Sequence, residues 1–511
     1  MYMKQDIFDG EPDLADPTED IDDVLSKFDA INSGFSFGLD FDSEDDSADD
    51  KGADSSPEAY WHDSFASLGL RMCEGDATTG RHLTVAPAHN FEAGQEILRE
   101  EPVISVWFSE PWTPLETRLL EHFKLSKIAP PYRLLCRCIE HDSACGHEMS
   151  SGTDSGGGSD SCRRRLLHAD SVAMHMGANL EVASSKWPAA FCAFLAEASG
   201  AEAACVTRML AIIKTNAFGI YSMAATDSTQ AVSDPLHVAI TDVGLSNMGL
   251  GLYLLVGRCN HECDPSAVWT FEDCAVDKTV SSATTPSALI SHATSSGAGD
   301  LTRATSACMV LRALRPLRPG DPVTISYLLP REPVSTRQQK LRESYCFNCA
   351  CSRCAAEAPK AEALSAAASE LRQMRAGLEG LAVRGELGKG HAHALDRCSA
   401  LLDELAPPGS CIHPETATVL IRLAKWCVLA SENVASEATS TDQGTKPSKR
   451  NGATAKKKKR DVGTRDVGAG AAPSPLLDKA IAHLQRAREM IRLSLGPSHS
   501  VHESLENALP R

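Results

Sequence analysis

No run of apolar residues in this chain is long enough to cross a membrane. The longest, around Leu250 to Val256, falls far short of the roughly 18 residues a span needs. The first residues, MYMKQDIFDGEPDL, lack a cationic stretch followed by an apolar one, so the chain reads as carrying no secretory signal. Net charge is scarce over most of the length. The 511 residues carry 50 Lys plus Arg against 68 Asp plus Glu, a formal net of −18. Residues 1–50 hold 17 acids and two lysines, so the tail carries −15 and the other 461 residues only −3. The body is close to neutral and the acidity belongs to a tail. Together with a hydrophobic share of 42%, these absences exclude the membrane, collagen-like and small disulfide-scaffold classes.

What is present is a change of texture along the chain. Residues 1–58, rich in Asp, Ser and Gly, bury too little surface to offset ordering entropy and read as a disordered acidic arm. Gly94 to Val106 combines a turn glycine with β-branched residues and predicts short strands. Residues 114–140 predict two helical pieces broken at Pro130-Pro131, and the Ser/Gly run at 150–161 predicts a flexible loop. Residues 163–215 are mainly helical, with Val206, Met209, Leu210 and Ile213 on one face. From Val238 to Tyr327 the pattern is strands and turns, including 267–271 and 309–314, with a Ser/Thr/Ala/Gly-rich insertion at 277–306. From about residue 359 the chain turns helical. Apolar stripes fall at Leu364, Leu371, Met374, Leu378 and Leu381, at Val419, Leu420 and Leu423, and at Leu477, Ile481, Leu484, Ala487 and Ile491. Low-complexity sequence at 434–474, with eight bases and no acids from Lys446 to Arg460, interrupts that array.

The eighteen cysteines call for metal or chemistry rather than disulfides in a chain without a leader. Most, such as Cys192, Cys205 and Cys427, sit in apolar surroundings and read as small buried hydrophobes. Cys346, Cys349, Cys351 and Cys354 fall within nine residues. The spacing of Cys349, Cys351 and Cys354 wraps well around one tetrahedral zinc, with a fourth position open to Cys346, to the remote Cys263 or to water. Cys263 lies in the segment from Gly257 to Pro265, GRCNHECDP. Asn260-His261 is a weak signal alone, and so is the turn and strand from Gly320 to Tyr327.

In this order the three are specific. Asn-His-x-Cys at 260–263, the Ile-Ser-Tyr ending at Tyr327, and Arg337-Gln-x2-Leu-x3-Tyr-Cys-Phe-x-Cys-x-Cys-x2-Cys354 resemble the SET-domain protein lysine methyltransferases, and among them the SMYD-type branch. Gly80-Arg-His-Leu-Thr-Val-Ala, the segment Phe91–Pro102 and Asn216-Ala-Phe-Gly-Ile220 extend the likeness, as does the final helical stretch to His499. The resemblance implies an α+β class, with a β-rich SET pseudoknot carrying a helical insertion, then an all-α TPR-like domain. The implied segments are 59–107 (N-terminal SET), 108–162 (linker), 163–236 (helical insertion), 237–345 (core SET), 346–358 (post-SET zinc) and 359–511 (TPR-like helices). It implies S-adenosyl-L-methionine as methyl donor, held by Gly80, Arg81, Asn216, Asn260, His261 and Phe347. Tyr327 would be the catalytic residue at the mouth of a lysine channel. It also implies a structural Zn2+ on Cys263, Cys349, Cys351 and Cys354.

This sequence departs from that pattern in places. Residues 108–130 hold no cysteine, so the MYND zinc finger is absent, and the nearby Cys136, Cys138, His141, Cys145 and His147 do not have its spacing. His82 stands where a turn glycine is common, Glu262 replaces Ser, and Ser266 replaces Asn. Pro322 removes a backbone donor ahead of Tyr327. The expected partner is a protein or peptide with a target lysine, histones among them, bound by a monomer in the cytoplasm or nucleus and not at a membrane. The basic run Lys456–Arg460 lacks interleaved aromatics, so it reads as a solvated loop or nuclear-import signal rather than a nucleic-acid site. A competing reading is a catalytically inactive SET-like zinc scaffold that binds partner peptides through its helices.

Overall fold

Short β-branched segments of the sequence pair mostly with segments far away in the chain. The computed structural model describes residues 65–73, 82–147, 186–200, 203–225, 243–253, 255–273, 307–345, 347–440 and 475–509. The acidic arm, the 150–161 run, the 277–306 insertion and the basic block lie outside the described residues, as do Gly80, Arg81 and Cys346. Among the described residues the strands are β1 Leu70–Cys73, β2 His82–Val85, β3 Glu96–Glu100, β4 Ile104–Trp107, β5 Ala217–Ala225, β6 Val243–Leu252, β7 Asn260–His261, β8 Ala267–Asp273, β9 Ala307–Ala313 and β10 Thr324–Ile325. The helices are α1 Pro114–His122, α2 Pro130–His147, α3 Lys186–Ser199, α4 Ala203–Asn216, α5 Val334–Tyr345 and α6 Ser352–Glu357, then α7 Ala361–Val383, α8 Ala392–Leu405, α9 Pro414–Ser440, α10 Pro475–Ser494 and α11 Ser500–Ala508. No helix among them is long and apolar enough to cross a membrane.

The chain divides into two compact units. Among the described residues the first contains four sheets, apart from the far ends of β5 and β6: β1-β2, β3-β9-β8, β4-β6-β5 and the two-stranded parallel pair β10-β7. In the central sheet β9 pairs antiparallel with both neighbours, Glu100 facing Met309 and Ala267 facing Ala313. One face of this sheet supplies Leu98, Trp269, Met309 and Leu311 to a core that also takes Phe65, Phe218, Tyr253 and Ile325. β4 and β6 approach so closely that a Cβ on Gly249 would stand 2.4 Å from the Val106 carbonyl oxygen, so only glycine fits there. Cys308 on β9 is disulfide-bonded, against the expectation that the cysteines serve metal or chemistry rather than disulfides.

The helices of the first unit follow their sequence signals. Thr113 caps α1, accepting from Glu116 N–H while the Glu116 carboxylate reaches back to Thr113 N–H. That same buried carboxylate pairs with Arg133 at 3.2 Å, tying α1 to α2. Pro130 and Pro131 open the first turn of α2, where a missing N–H costs nothing. The face predicted at Val206, Leu210 and Ile213 packs α4 onto α2 and α3, with Met209 half-buried beside it.

The second unit is helical, α7–α11, with its own core. Leu364, Leu371 and Leu378 are buried as the stripe predicts. In α10 the buried face is Leu476, Ala480, Leu484, Ala487 and Ile491, so the predicted stripe is rotated at its start. Leu477 and Ile481 are only half-buried. Adjacent apolar pairs there fit a 3.6-residue period equally well in either register. Helix α9 also runs to Ser440, into the segment whose composition suggested low complexity from residue 434.

Candidate functional site

The site is built where two segments some sixty residues apart run parallel. β7 and β10 pair Asn260 with Thr324 and His261 with Ile325, and Glu262 N–H continues the ladder to the Ile325 carbonyl at 3.0 Å. Each strand is too short to hold itself, so side chains brace both ends. Upstream, the buried Glu100 carboxylate accepts from the N–H groups of Leu255 (2.9 Å) and Val256 (3.0 Å), capping the 3-10 turn Val256–Arg258 that delivers Asn260. Downstream, Ser266 Oγ donates to the Pro322 carbonyl and accepts from Thr324 N–H, both at 2.8 Å. Thr324 Oγ1 accepts from Ser266 N–H and donates to Glu262 Oε2, each at 3.0 Å. The departures at Glu262, Ser266 and Pro322 therefore form one connected clamp. Pro322 offers its carbonyl, while the donors facing β2 come from Val323 and Gly320. Gly320 turns the chain at φ +86°.

Tyr327 follows directly from this clamp. Its phenol donates to the Cys259 carbonyl at 2.8 Å, and its N–H donates to His261 Nδ1 at 3.0 Å. Burial pushes the Tyr327 phenol above its ordinary range, with the Cys259 side chain adding to the shift, so it stays protonated at neutral pH. Tyr345 lies 4.8 Å from the Tyr327 ring, centroid to centroid, and burial raises its phenol too. The His261 ring is 5.2 Å from Tyr327 and 5.9 Å from Phe347. These four rings form an aromatic wall. Burial also holds the His261 imidazole down to about 3, so it is neutral. With Nδ1 accepting from Tyr327, its proton belongs on Nε2, which faces Cys263 Sγ at 3.2 Å.

Cys263, Cys349, Cys351 and Cys354 come together as the sequence pattern suggests, all four sulfurs lying within 4.8 Å of one another. A tetrahedral zinc with bonds of 2.3 Å needs sulfurs about 3.8 Å apart. Cys263 lies 3.9 Å from Cys349 and 3.4 Å from Cys354, so the cluster has the size of such a site. Contacts with Cys349, Cys351 and Cys354 push the Cys263 thiol up, and contacts with Cys263, Cys349 and Cys354 hold Cys351 down. A cation joining the four would release all the protons at once. Around the sulfurs, Gln338 holds Cys349 by both its amide groups, accepting from Cys349 N–H at 3.0 Å and donating to its carbonyl at 2.6 Å.

The structure thus brings Asn260, His261, Tyr327, Phe347 and the four cysteines into one region. Asn216 ends α4 with its Nδ2 donating to the Ile212 carbonyl at 3.1 Å. Its Oδ1 faces Gly257, where an added Cβ would stand 3.6 Å away, in ordinary contact. Gly80 and Arg81 lie outside the described residues. Cys136 and Cys138 are buried core residues between α2 and its neighbours. Among the described residues the four-sulfur group is the one cluster of potential metal ligands. Sequence reasoning gave no role to Glu100, Ser266, Tyr345, Arg337, Arg353 or Glu357. Arg337 and Tyr345 stood inside the quoted Arg-Gln-x2-Leu-x3-Tyr run, and that was their only signal.

No family model matches the chain. It is similar to a SET and MYND domain-containing protein of Dictyostelium discoideum, 32% identical over 114 residues, covering 22% of this chain and 24% of the relative. The histone-lysine N-methyltransferase ASHR1 of Arabidopsis thaliana is 29% identical over 116 residues, 23% of this chain and 17% of that protein. The protein-lysine N-trimethyltransferase SMYD5 of Mus musculus is 32% identical over 123 residues, 24% of this chain and 22% of that protein. The chain spans less than a quarter of the length of the curated relatives it matches. Over that portion it is similar to SET-domain proteins of the SMYD type, and its described residues form an α+β unit and a helical one.

Proposed function

We propose that this SMYD-like chain is a protein-lysine N-methyltransferase that uses S-adenosylmethionine and carries one zinc ion on Cys263, Cys349, Cys351 and Cys354. The observation that carries the proposal is the β7–β10 pairing, which sets Asn260 and His261 beside the strand that delivers Tyr327 onto the Cys259 carbonyl. Asn216, Asn260, His261 and Phe347 would hold the methyl donor, with Gly80 and Arg81 completing its cradle. When bound, S-adenosylmethionine supplies a methyl group on a cationic sulfonium.

The residues of this chain then have three tasks. The first is to favour a neutral lysine. Deprotonating a solvated lysine at pH 7 costs about 4.6 kcal/mol, and an apolar aromatic wall lowers that cost by disfavouring the ammonium. Tyr327, Tyr345 and Phe347 provide such a wall. The second is to orient the amine. Tyr327 is not a base, because its proton is committed to the Cys259 carbonyl; a phenol oxygen in that position would accept from the amine N–H. The third is to keep the phenol in place, which falls to His261 through the Tyr327 N–H and to the metal cluster behind it. Positioning of this kind supplies much of the rate enhancement. Arginine, whose guanidinium stays charged, is a poor fit.

The substrate is a lysine-bearing protein or peptide, with histones among the candidates. The chain acts as a monomer in the cytoplasm or nucleus, the basic block at 446–460 serving as an import signal. Transfer of labelled methyl groups to a protein library by the purified full chain tests the activity. Tyr327→Phe should lower kcat by about 10²-fold while calorimetry finds cofactor affinity unchanged. Peptide binding by a wild-type chain with no measurable affinity for S-adenosylmethionine would instead make it a non-catalytic scaffold.

A further inference from the structure

Arg337, on α5, has no exposed surface at all. Arginine is seldom fully buried unless something compensates its charge. Its Nη2 meets the Glu357 carboxylate at 2.7 Å, but Glu357 is shared: its other oxygen takes Arg353 Nε at 2.6 Å. One further donation, from Nη1, goes to the Glu332 carbonyl. What remains of the guanidinium is turned on the sulfurs, with Nε 3.2 Å from Cys263 Sγ and Nη2 3.7 Å from Cys354 Sγ. Arg353 closes the same corner from the other side, donating to the Cys263 carbonyl at 2.9 Å.

Four thiolates around a divalent ion carry a net charge of about −2, and taking that out of water is costly without a nearby cation. A guanidinium meets two acceptors with a fixed planar fork, a geometry that the rotating ammonium of a lysine does not fix. The residues behind a metal's own ligands commonly set how firmly the metal is held.

We propose that Arg337 is a positioning residue for the metal: its guanidinium provides the positive charge against which the Cys263 and Cys354 thiolates are held, and Glu357 only aims it. The proposal rests on the metal site described above. It also gives α5 a purpose. The start of the helix is pinned to the sulfurs by Arg337 and by Val334, which packs on Cys263 and Cys354, while its end presents Tyr345 to Tyr327. Metal retention and the packing of the aromatic wall therefore share one helix.

The test uses the purified full chain. Elemental analysis of the wild type reports first on the metal itself: one zinc per chain is expected, and a chain without zinc would overturn the metal site and this proposal together. Zinc transfer to a chromogenic chelator is then timed for Arg337→Met, Arg337→Lys and Glu357→Gln, with circular dichroism confirming the fold of each. Arg337→Met should hold zinc about 10–100-fold more weakly, Arg337→Lys should fall between, and Glu357→Gln should stay near wild type. In cobalt-substituted protein the sulfur-to-metal charge-transfer band should shift for the Arg337 variants and not for Glu357→Gln. Equal loss from Arg337→Met and Glu357→Gln, with an unmoved cobalt band, would reduce Arg337 to half of an ordinary ion pair and overturn the proposal. Should Arg337→Met not fold, Arg337→Lys and its cobalt spectrum decide the matter alone.

Discussion

The phenols of Tyr221, Tyr253, Tyr327 and Tyr345 are all pushed up by burial, and all four belong to the first unit. Below about pH 10, folded and unfolded chains both keep these protons, so the groups add no pH dependence. Above it the unfolded chain releases them and the folded chain does not, so stability falls as pH rises. In a spectrophotometric titration, phenolate absorbance from these four should appear together with the loss of circular dichroism; a smooth rise in intact protein would show that the rings are accessible. Residue types with distinctive chemistry were legible in the sequence. The cysteine spacing stood out by itself, whereas Asn260, His261 and Tyr327 were weak signals alone and became specific only in their order with it and through the family resemblance. Ser266, noted only as a departure, and Arg337, quoted only within its motif, had no legible role, since a serine or an arginine acquires its meaning from what lies across a gap of 58 or 74 positions.

At the scale of elements, β7 and β10 contribute two residue pairs between them, too few to stand without the clamp around Ser266. Ser266→Ala leaves the Thr324 N–H and the Pro322 carbonyl short of a partner in a buried place, so it should cost about 1–3 kcal/mol. Denaturant melts give that figure directly. Weaker binding of the proposed cofactor should accompany it, because Asn260 and His261 lose their backing. Unchanged stability would show that the clamp is redundant. Helices and hairpins were legible from periodicity because their partners are near in sequence. The β7–β10 pairing was not, for a two-residue strand has no period to read; it came from family likeness. The rotated stripe of α10 has the same origin, since neighbouring apolar pairs leave the register to tertiary packing.

At the scale of the whole molecule, the metal is expected to behave as part of the fold. A strong chelator should lower the thermal midpoint by at least about 4 °C, and added zinc should restore it. A midpoint indifferent to both would leave the four cysteines a role in packing alone. Charge gives no comparable leverage: the −15 of the first fifty residues lies outside the described residues, and the body is nearly neutral. The β8–β9 register offers a different kind of leverage. Asp273 faces Ala307 in a continuous ladder, although about 30 residues separate them. Closing a loop that long rather than one of four residues costs only about 2 kcal/mol, because the penalty grows with the logarithm of length. A change in the length of that connection therefore has little thermodynamic consequence. Replacing the connection by a four-residue turn should stabilise the chain by no more than about 2 kcal/mol, which denaturant melts would measure.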